Sequence, residues 1–418
     1  MSASLLLTLV FAAAVAAGLL VRLWLVSRQI RHVAAHRDSV PAAYAQTIPL
    51  AAHQKAADYT LTKSRLGMLA AAVSAAILLG WTLLGGLDLL NQSLLAWLGG
   101  GMVQQLALFV AFMLVGGLLD LPLSLYSTFV VEARFGFNKM SWRLWLSDLI
   151  KGTLVGAALG LPLLAAVLWL MQAGGAMWWL YAWALLVVYT LFVQWIAPTF
   201  ILPLFNKFTP LEDEALEARV SALMQRCGFT ARGFFVMDGS RRSAHSNAFF
   251  TGFGRHKRVV FFDTLLAQLS HDEMEAVLAH ELGHFSHRHI LKRMALSFSL
   301  SLVALAVLGW LSTQAWFYTG LGVQPNVSAP NNALALLLFL LAVPVFSFFV
   351  SPLASQLSRR HEFEADAYAV GLTGTRHLGA ALLKLYQDNA STLTPDPLFV
   401  KFHYSHPPAS ERLARMTA

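Results

Sequence analysis

Long apolar runs constrain this chain more than any other feature. Of its 418 residues, 57% are hydrophobic and 12% are charged, whereas a soluble globular chain usually carries about 25% charged residues. A run of roughly 20 apolar residues is long enough to cross the hydrocarbon core of a bilayer as a helix. Seven such runs lie at about 5–26, 66–90, 102–131, 153–172, 177–204, 292–316 and 332–352. The sequence therefore predicts a mainly α-helical integral membrane protein with seven spans.

The first run, Leu5 to Val26, has two interpretations. A cleaved signal peptide carries positive charge before its apolar core, but Met1 to Ser4 contain no Lys or Arg. The basic residues follow the run, at Arg22, Arg28, Arg31 and Arg37. This charge pattern favours an uncleaved span with its N-terminus outside.

The loops between the runs alternate in charge. Residues 27–65 hold six Lys and Arg residues and 132–151 hold four, whereas 91–101, 173–176 and 317–331 hold none. Because Lys and Arg accumulate in cytoplasmic loops, we expect the polar segments 205–291 and 353–418 to lie in the cytosol. The predicted domains are a five-span membrane domain (1–204), the first part of a cytosolic domain (205–291), two more spans (292–352) and the second part of that cytosolic domain (353–418).

The formal net charge of +8 does not indicate a nucleic-acid partner. Nucleic-acid-binding folds collect Lys and Arg on one solvated face, but here these residues fall in loops between apolar runs. The single cysteine, Cys227, excludes an internal disulfide framework and a thiolate metal cluster. Membrane topology is therefore the better explanation of the basic charge.

The strongest chemical signal is HELGH at 280–284. Residues four apart on a helix project from the same face, so His280 and His284 can bind one metal ion with Glu281 beside it. Ser270 and Glu273 form a possible capping box that begins this helix. The pattern predicts a zinc site in which Glu281 is the general base.

A catalytic zinc usually takes three protein ligands. The helical segment 359–369 offers Glu362 and Glu364, and spacing alone does not decide between them. Asp366 on the same segment can accept a hydrogen bond from a ligand imidazole. We expect His287 and His289 to be surface histidines, because helical spacing does not place them on the same face as His280 and His284. We expect the side chain of His361 to point to another side of its helix than Glu362.

Six sequence blocks resemble the type I CAAX prenyl endopeptidase family of seven-span membrane zinc proteases. The blocks cover nearly the whole chain and stand in the family's order: RFGFNK at 134–139 with Asp148 and Lys151, PLFNKFTPLED at 203–213, SNAFFTGFG at 246–254, HELGH, EFEAD at 362–366 and YSHPPASERL at 404–413. The resemblance implies a split, cytosolic, gluzincin-like α+β zinc protease domain closing a water-filled chamber. It also implies one zinc ion per chain.

The resemblance assigns further roles to individual residues. It selects Glu362 as the third zinc ligand and Asp366 as the hydrogen-bond partner of a ligand histidine. His406 and Arg412 are implied to stabilise the oxyanion, and Asn247 to hold the substrate backbone. The partners it implies are a peptide or protein substrate, with a lipid-anchored or membrane-embedded one as a candidate, and membrane lipid.

Other functions compete with this interpretation. A quality-control protease of the heat-shock membrane type shares HExxH but usually lacks the RFGFNK block. A site-2 protease carries HExxH inside a spanning helix, whereas charged residues surround the motif here. A transporter or scaffold with structural zinc has no use for Glu281. The Ala- and Leu-rich spans with short loops are typical of a bacterial inner-membrane protein, and bacteria generally lack prenylated CAAX substrates, which leaves the natural substrate open.

Overall fold

The computed structural model describes residues 1–251 and 256–416 and is dominated by helices. The α-helices are α1 Ala3–Ala35, α2 Leu50–Trp81, α3 Gly86–Leu98, α4 Met102–Tyr126, α5 Trp142–Ala173, α6 Trp178–Ile196, α7 Leu202–Phe205, α8 Glu214–Arg226, α9 Asp263–Leu266, α10 His271–Ser286, α11 His289–Leu311, α12 Ala315–Gly320, α13 Asn332–Ser347, α14 Ser351–Thr373, α15 Thr375–Asp388, α16 Pro397–His403 and α17 Ala409–Met416. The strands are β1 Phe208–Pro210, β2 Thr230–Met237, β3 Ala248–Thr251 and β4 His256–Phe262.

The structure has six or seven candidate membrane spans where the sequence predicts seven. Six described helices are long and apolar enough to cross a bilayer, and α13 with α14 makes a seventh candidate that is bent by 68°. The run predicted at 66–90 is wrong in its bounds, because α2 begins at Leu50 and ends at Trp81. Thr82 leaves helical geometry and Gly85 adopts a left-handed conformation with φ 78°, which glycine tolerates without steric cost. The remaining apolar residues of that run begin α3.

The bend between α13 and α14 directs the chain toward the metal site. The two helices are separated by residues 348–350, and Pro352 lies in the first turn of α14, where its missing N–H costs no helical hydrogen bond. The apolar sequence ends near this bend, and the polar residues Arg359 to Asp366 follow on the same helix. A span therefore continues directly into the helix that carries Glu362.

A small mixed sheet and several helices form a second core outside the spans. The sheet has the order β1-β2-β4-β3, with β2 parallel to β4 and the other two pairs antiparallel. Buried side chains from α8, β4, α10, α14 and α15 pack together, among them Val220, Phe261, Leu278, Ala369 and Leu382. The two polar segments on either side of α11 to α13 thus share one hydrophobic core.

Helices α10 and α14 approach each other closely at Gly283. A Cβ atom on Gly283 would lie 3.0 Å from the Cα and 3.1 Å from the carbonyl oxygen of Ala365. These are backbone atoms of a packed helix, so they cannot move aside as a flexible side chain can. The absence of a side chain at Gly283 therefore sets how closely the helix of His280 and His284 approaches the helix of Glu362.

We predict that Gly283→Ala destabilises the protein and weakens metal binding together. The added methyl group must push α10 from α14, and overpacking of this kind costs about 1–3 kcal/mol. Gly371→Ala on α14 is the matched control, since a Cβ there meets nothing within 4 Å and alanine is the better helix former by about 1 kcal/mol. Melting curves and zinc content in detergent measure both effects. Wild-type zinc content and melting temperature in Gly283→Ala would contradict this prediction.

Candidate metal centre

Helix α10 presents His280, Glu281 and His284 as the sequence predicts. The predicted capping box is confirmed: the Ser270 side chain accepts from the Glu273 N–H, and the Glu273 carboxylate accepts from the Ser270 N–H. The side chains of Met274, Leu278 and Leu282 on the same helix are buried in the hydrophobic core described above. The rings of His280 and His284 lie with their centroids 5.0 Å apart, so both imidazoles face one small volume.

Glu362 is the carboxylate that joins the two histidines. Its Oε2 lies 3.4 Å from Nε2 of His280 and its Oε1 lies 3.4 Å from Nε2 of His284. One ligand atom from each of the three residues lies within 4.8 Å of the other two. Glu364, the alternative from spacing, instead points to His289. The geometry therefore brings together the His₂Glu set that the resemblance implies.

These three side chains fit a divalent metal. Glu362 is 1% exposed, and Oε2 accepts no well-directed hydrogen bond from any described residue, although Nδ1 of His406 is 2.9 Å away. Burial and the nearby imidazole of His280 lower the pKa of His284 to about 4, so this ring is neutral at pH 7 and its lone pair is available. Two imidazoles and a buried carboxylate are the usual donors of a catalytic zinc site.

Asp366 and Arg412 lie on the Nδ1 side of His280, whereas Glu362 lies on its Nε2 side. Asp366 Oδ1 lies 2.9 Å from Nδ1 of His280, so the imidazole N–H is donated to the carboxylate and Nε2 is left to face Glu362. Arg412 donates from Nε and Nη2 to both oxygens of Asp366, at 2.8 and 2.5 Å. All three residues are buried. The guanidinium thus compensates the buried charge of the carboxylate that orients a predicted metal ligand.

Glu281 adjoins the predicted ligands on α10 and is partly buried. Burial raises the pKa of its carboxyl above the usual range, and the negative charge of Glu362 acts in the same direction. A carboxylate with a raised pKa accepts a proton more readily near neutral pH. This environment suits a general base.

The structure places His406 beside Glu362 and Asn247 immediately before β3. His406 has a 67% exposed side chain with Nδ1 2.9 Å from Glu362 Oε2, so it is both next to the metal centre and open to a ligand. Asn247 is exposed and precedes β3, which in the described sheet pairs with β4 alone. Phe250 of β3 contacts the ring of Phe285, the residue after His284. The block at 246–254 extends beyond β3, and its residues 252–254 lie outside the described residues.

A second histidine cluster was missed by sequence reasoning. His289 is not a surface residue: it is 1% exposed, and its Nδ1 lies 3.0 Å from Nδ1 of His284. Its Nε2 lies 2.9 Å from Glu364 Oε2, and its ring stacks on that of His361. Helix α10 ends between His284 and His289. The surface position predicted for His289 assumed that the helix continued through it, and that prediction is therefore wrong. The spacing of five residues is by itself no signal for this contact.

Comparisons with known proteins agree with the fold and with a membrane metalloprotease. The family model described as CAAX prenyl protease N-terminal, five membrane helices, matches residues 29–207, and the model of peptidase family M48 matches residues 210–418. A CAAX prenyl protease 1 homolog of Arabidopsis thaliana is 40% identical over 70% of this chain and 69% of its own length. CAAX prenyl protease 1 of Saccharomyces cerevisiae is 39% identical over 72% of this chain and 69% of its own length.

The fold as a whole is similar to that of a protein of known structure. The crystal structure of S. mikatae Ste24p superposes with a TM-score of 0.92 and 31% sequence identity, covering 99% of each chain. The two family models together also span most of the sequence, in the order found here. The chain therefore belongs to peptidase family M48 and is an integral-membrane zinc metalloendopeptidase of the CAAX prenyl protease type.

Proposed function

We propose that one zinc ion per chain is held by His280, His284 and Glu362, and that peptide bonds are hydrolysed at this centre. The observation that carries the proposal is the meeting of three metal-binding side chains, from α10 and α14, within 4.8 Å of one another. Asp366 and Arg412 add the hydrogen bonds that a catalytic metal ligand needs for its orientation. A structural zinc site would have no need of Glu281, which favours catalysis over a scaffold role.

In this proposal Glu281 moves the protons of the reaction. Bound zinc would supply Lewis-acid chemistry, polarising the scissile carbonyl and acidifying the attacking water. The Glu281 carboxylate accepts the proton of that water and returns it to the leaving amine. The raised pKa of this carboxyl supports the assignment.

His406 is the proposed donor to the developing oxyanion. Its exposed ring beside Glu362 suits an interaction that forms only when charge builds up on the scissile carbonyl. The same role predicted for Arg412 stays a prediction, since its Nε and Nη2 donate to Asp366 and act on the centre through His280. Asn247 is the proposed holder of the substrate backbone, because a peptide can add to the exposed edge of β3.

We predict that Glu281→Gln and His406→Ala keep zinc but lose turnover. Neither change removes a proposed ligand, whereas each removes a group needed in the transition state. We expect kcat to fall by about 10² or more for either variant, as for other general bases and oxyanion donors. Zinc content and kcat on a reporter peptide in detergent are the measurements, with Glu362→Ala as the variant that should lose zinc. A wild-type kcat in Glu281→Gln would refute the proposed mechanism.

We also propose that the N-terminus lies outside and that both polar segments, 205–291 and 353–418, form one zinc protease domain in the cytosol, at the inner membrane of a bacterium. The alternation of Lys and Arg between the loops supports this orientation. The core shared by the two segments supports their assembly into one domain. Residues 1–204 and 292–352 then form the membrane domain.

The orientation predicts which engineered thiols a membrane-impermeant reagent reaches in intact cells. After replacement of the native cysteine by Cys227→Ser, a thiol introduced by Val327→Cys should be labelled, because this exposed loop position lies outside. A thiol introduced by Glu214→Cys should be labelled only after the cells are opened, since α8 belongs to a cytosolic segment. The reverse pattern would contradict the orientation.

For the substrate, we propose a peptide or protein that carries a lipid anchor. The names of the relatives, which specify prenyl proteases, support a lipid-bearing substrate. A cavity of about 740 Å³ supports it further: the space lies between α1, α2 and the segment 386–404, with Arg22, Gln29 and Tyr404 on its walls. A quality-control protease, the alternative, would not require its substrate to carry a lipid.

An apolar crevice continues from this cavity into the spans. A second space of about 280 Å³ shares Arg22, Ala71 and Phe348 with the cavity and is otherwise lined mostly by apolar residues of α1, α2 and α13. On the cavity wall, the buried Gln29 Nε2 has no hydrogen-bond partner among the described residues. A cation and a free amide donor beside an apolar crevice suit an amphiphile whose chain enters the membrane domain.

We predict that a peptide with an S-isoprenyl cysteine has a KM lower by at least about 10-fold than its S-methyl counterpart, since each buried methylene contributes about 0.8 kcal/mol. Ala71→Trp should remove this advantage by filling the crevice. Leu69→Trp is the matched control, because Leu69 lines neither space. Equal KM values for the two peptides on the wild-type enzyme would show that the lipid is not recognised.

A further inference from the structure

We infer that His289 is a positioning residue of the metal centre, which, held by Glu364, fixes the tautomer and orientation of His284. This inference rests on the proposed zinc site and adds a residue that lies outside the HELGH motif.

His289 is the buried middle member of a chain of three groups. Its Nδ1 is 3.0 Å from Nδ1 of His284, and its Nε2 is 2.9 Å from Glu364 Oε2. The imidazole is 1% exposed, so water does not compete for these contacts. On the far side of His284, Nε2 lies 3.4 Å from Glu362 Oε1. The chain thus runs from Glu364 through His289 and His284 to the proposed metal ligands.

The positions of the protons follow from the chemistry of Glu364, the carboxylate at the end of this chain. An ionised carboxylate only accepts hydrogen bonds, so Nε2 of His289 carries the proton that is donated to Glu364. A neutral His289 then has a bare Nδ1, which must accept the N–H of His284 Nδ1. His284 is left with its lone pair on Nε2, the nitrogen that faces Glu362. The opposite tautomer of His284 would place a proton where a metal must bind.

The backbone at the end of α10 makes this contact possible. Arg288 adopts a left-handed conformation with φ 55°, which is uncommon for a residue with a Cβ atom. The chain therefore turns sharply between α10 and α11, and His289, the first residue of α11, folds back against His284. Parallel stacking on His361, with centroids 4.0 Å apart and planes at 12°, holds the His289 ring in place.

His289, His361 and Glu364 are close enough to be considered a second metal site. The ring arrangement argues against it. An imidazole nitrogen directs its lone pair in the plane of the ring, and two nearly parallel rings 4.0 Å apart cannot both contain one ion in their planes. The hydrogen-bond chain uses both nitrogens of His289 without this difficulty.

The experiment measures zinc affinity in a zinc-buffered competition titration with a chelator, in detergent. His289→Ala should weaken zinc binding by about 10- to 100-fold, as expected when a partner of a ligand histidine is removed. His289→Asn should restore most of the affinity, because its Oδ1 can accept from His284 near the place of Nδ1. His287→Ala is the matched control, since His287 stacks on the same ring but its Nδ1 donates to the carbonyl oxygen of Gly283 rather than contacting His284.

The outcomes separate this inference from the proposed function. If wild-type protein binds no zinc, the metal centre itself is wrong. If the wild type binds zinc and His289→Ala binds it equally well, only the positioning role is refuted. Equal losses in His289→Asn and His289→Ala would show that the ring acts by packing. A second zinc in the wild type that disappears in His361→Phe, which keeps the stack but removes the nitrogens, would overturn the hydrogen-bond chain in favour of a second site.

Discussion

The contact between α10 and α14 at Gly283 and Ala365 is the constraint on which the rest of the site depends. It allows a carboxylate from one helix to lie 3.4 Å from imidazole nitrogens of the other. Such a contact concentrates charge in a buried volume, and burying an unpaired carboxylate is costly. The buried carboxylates of Asp366 and Glu362 accordingly have partners: Asp366 has Arg412 and His280, while Glu362 faces His280, His284 and His406. The proposed zinc would complete this compensation at Glu362.

The two histidines are supported in different ways. His280 donates directly to Asp366, and a guanidinium holds that carboxylate in place. The support of His284 is longer, since an imidazole stands between the ligand and the carboxylate of Glu364. Glu364 is partly exposed and pairs with Arg360, so one end of this second chain reaches the surface. The membrane domain contributes as well, because the 68° bend after α13 sets the direction of α14.

The sequence predicted the parts of this structure that depend on local pattern. Hydropathy identified seven spans, and the spacing of His280, Glu281 and His284 with the capping box at Ser270 predicted α10. The choice between Glu362 and Glu364 required the family resemblance, because both residues lie on the same short helical segment. The start of α2 was missed, since its first turns carry His53, Lys55 and Asp58 and are not apolar.

Long-range geometry could not be predicted in the same way. The bend after α13 depends on how a span packs against its neighbours, which hydropathy does not encode. The inward position of His289 depends on the positive φ of Arg288, a single backbone angle that reverses the expected direction of a side chain. The pairing of Arg412 with Asp366 joins residues 46 positions apart, and no local pattern relates them.

The proposed site holds one zinc ion with two imidazoles and one carboxylate. X-ray absorption at the zinc edge of the purified protein measures this ligand set. We expect one zinc per chain with two nitrogen neighbours at about 2.0–2.1 Å from imidazole rings and oxygen neighbours at about 2.0–2.2 Å. A sulfur neighbour would contradict this ligand set, because none of the three proposed ligands carries sulfur. Three imidazoles around the ion would contradict it as well, because a histidine such as His406, which lies 2.9 Å from Glu362, would then take the place of the carboxylate.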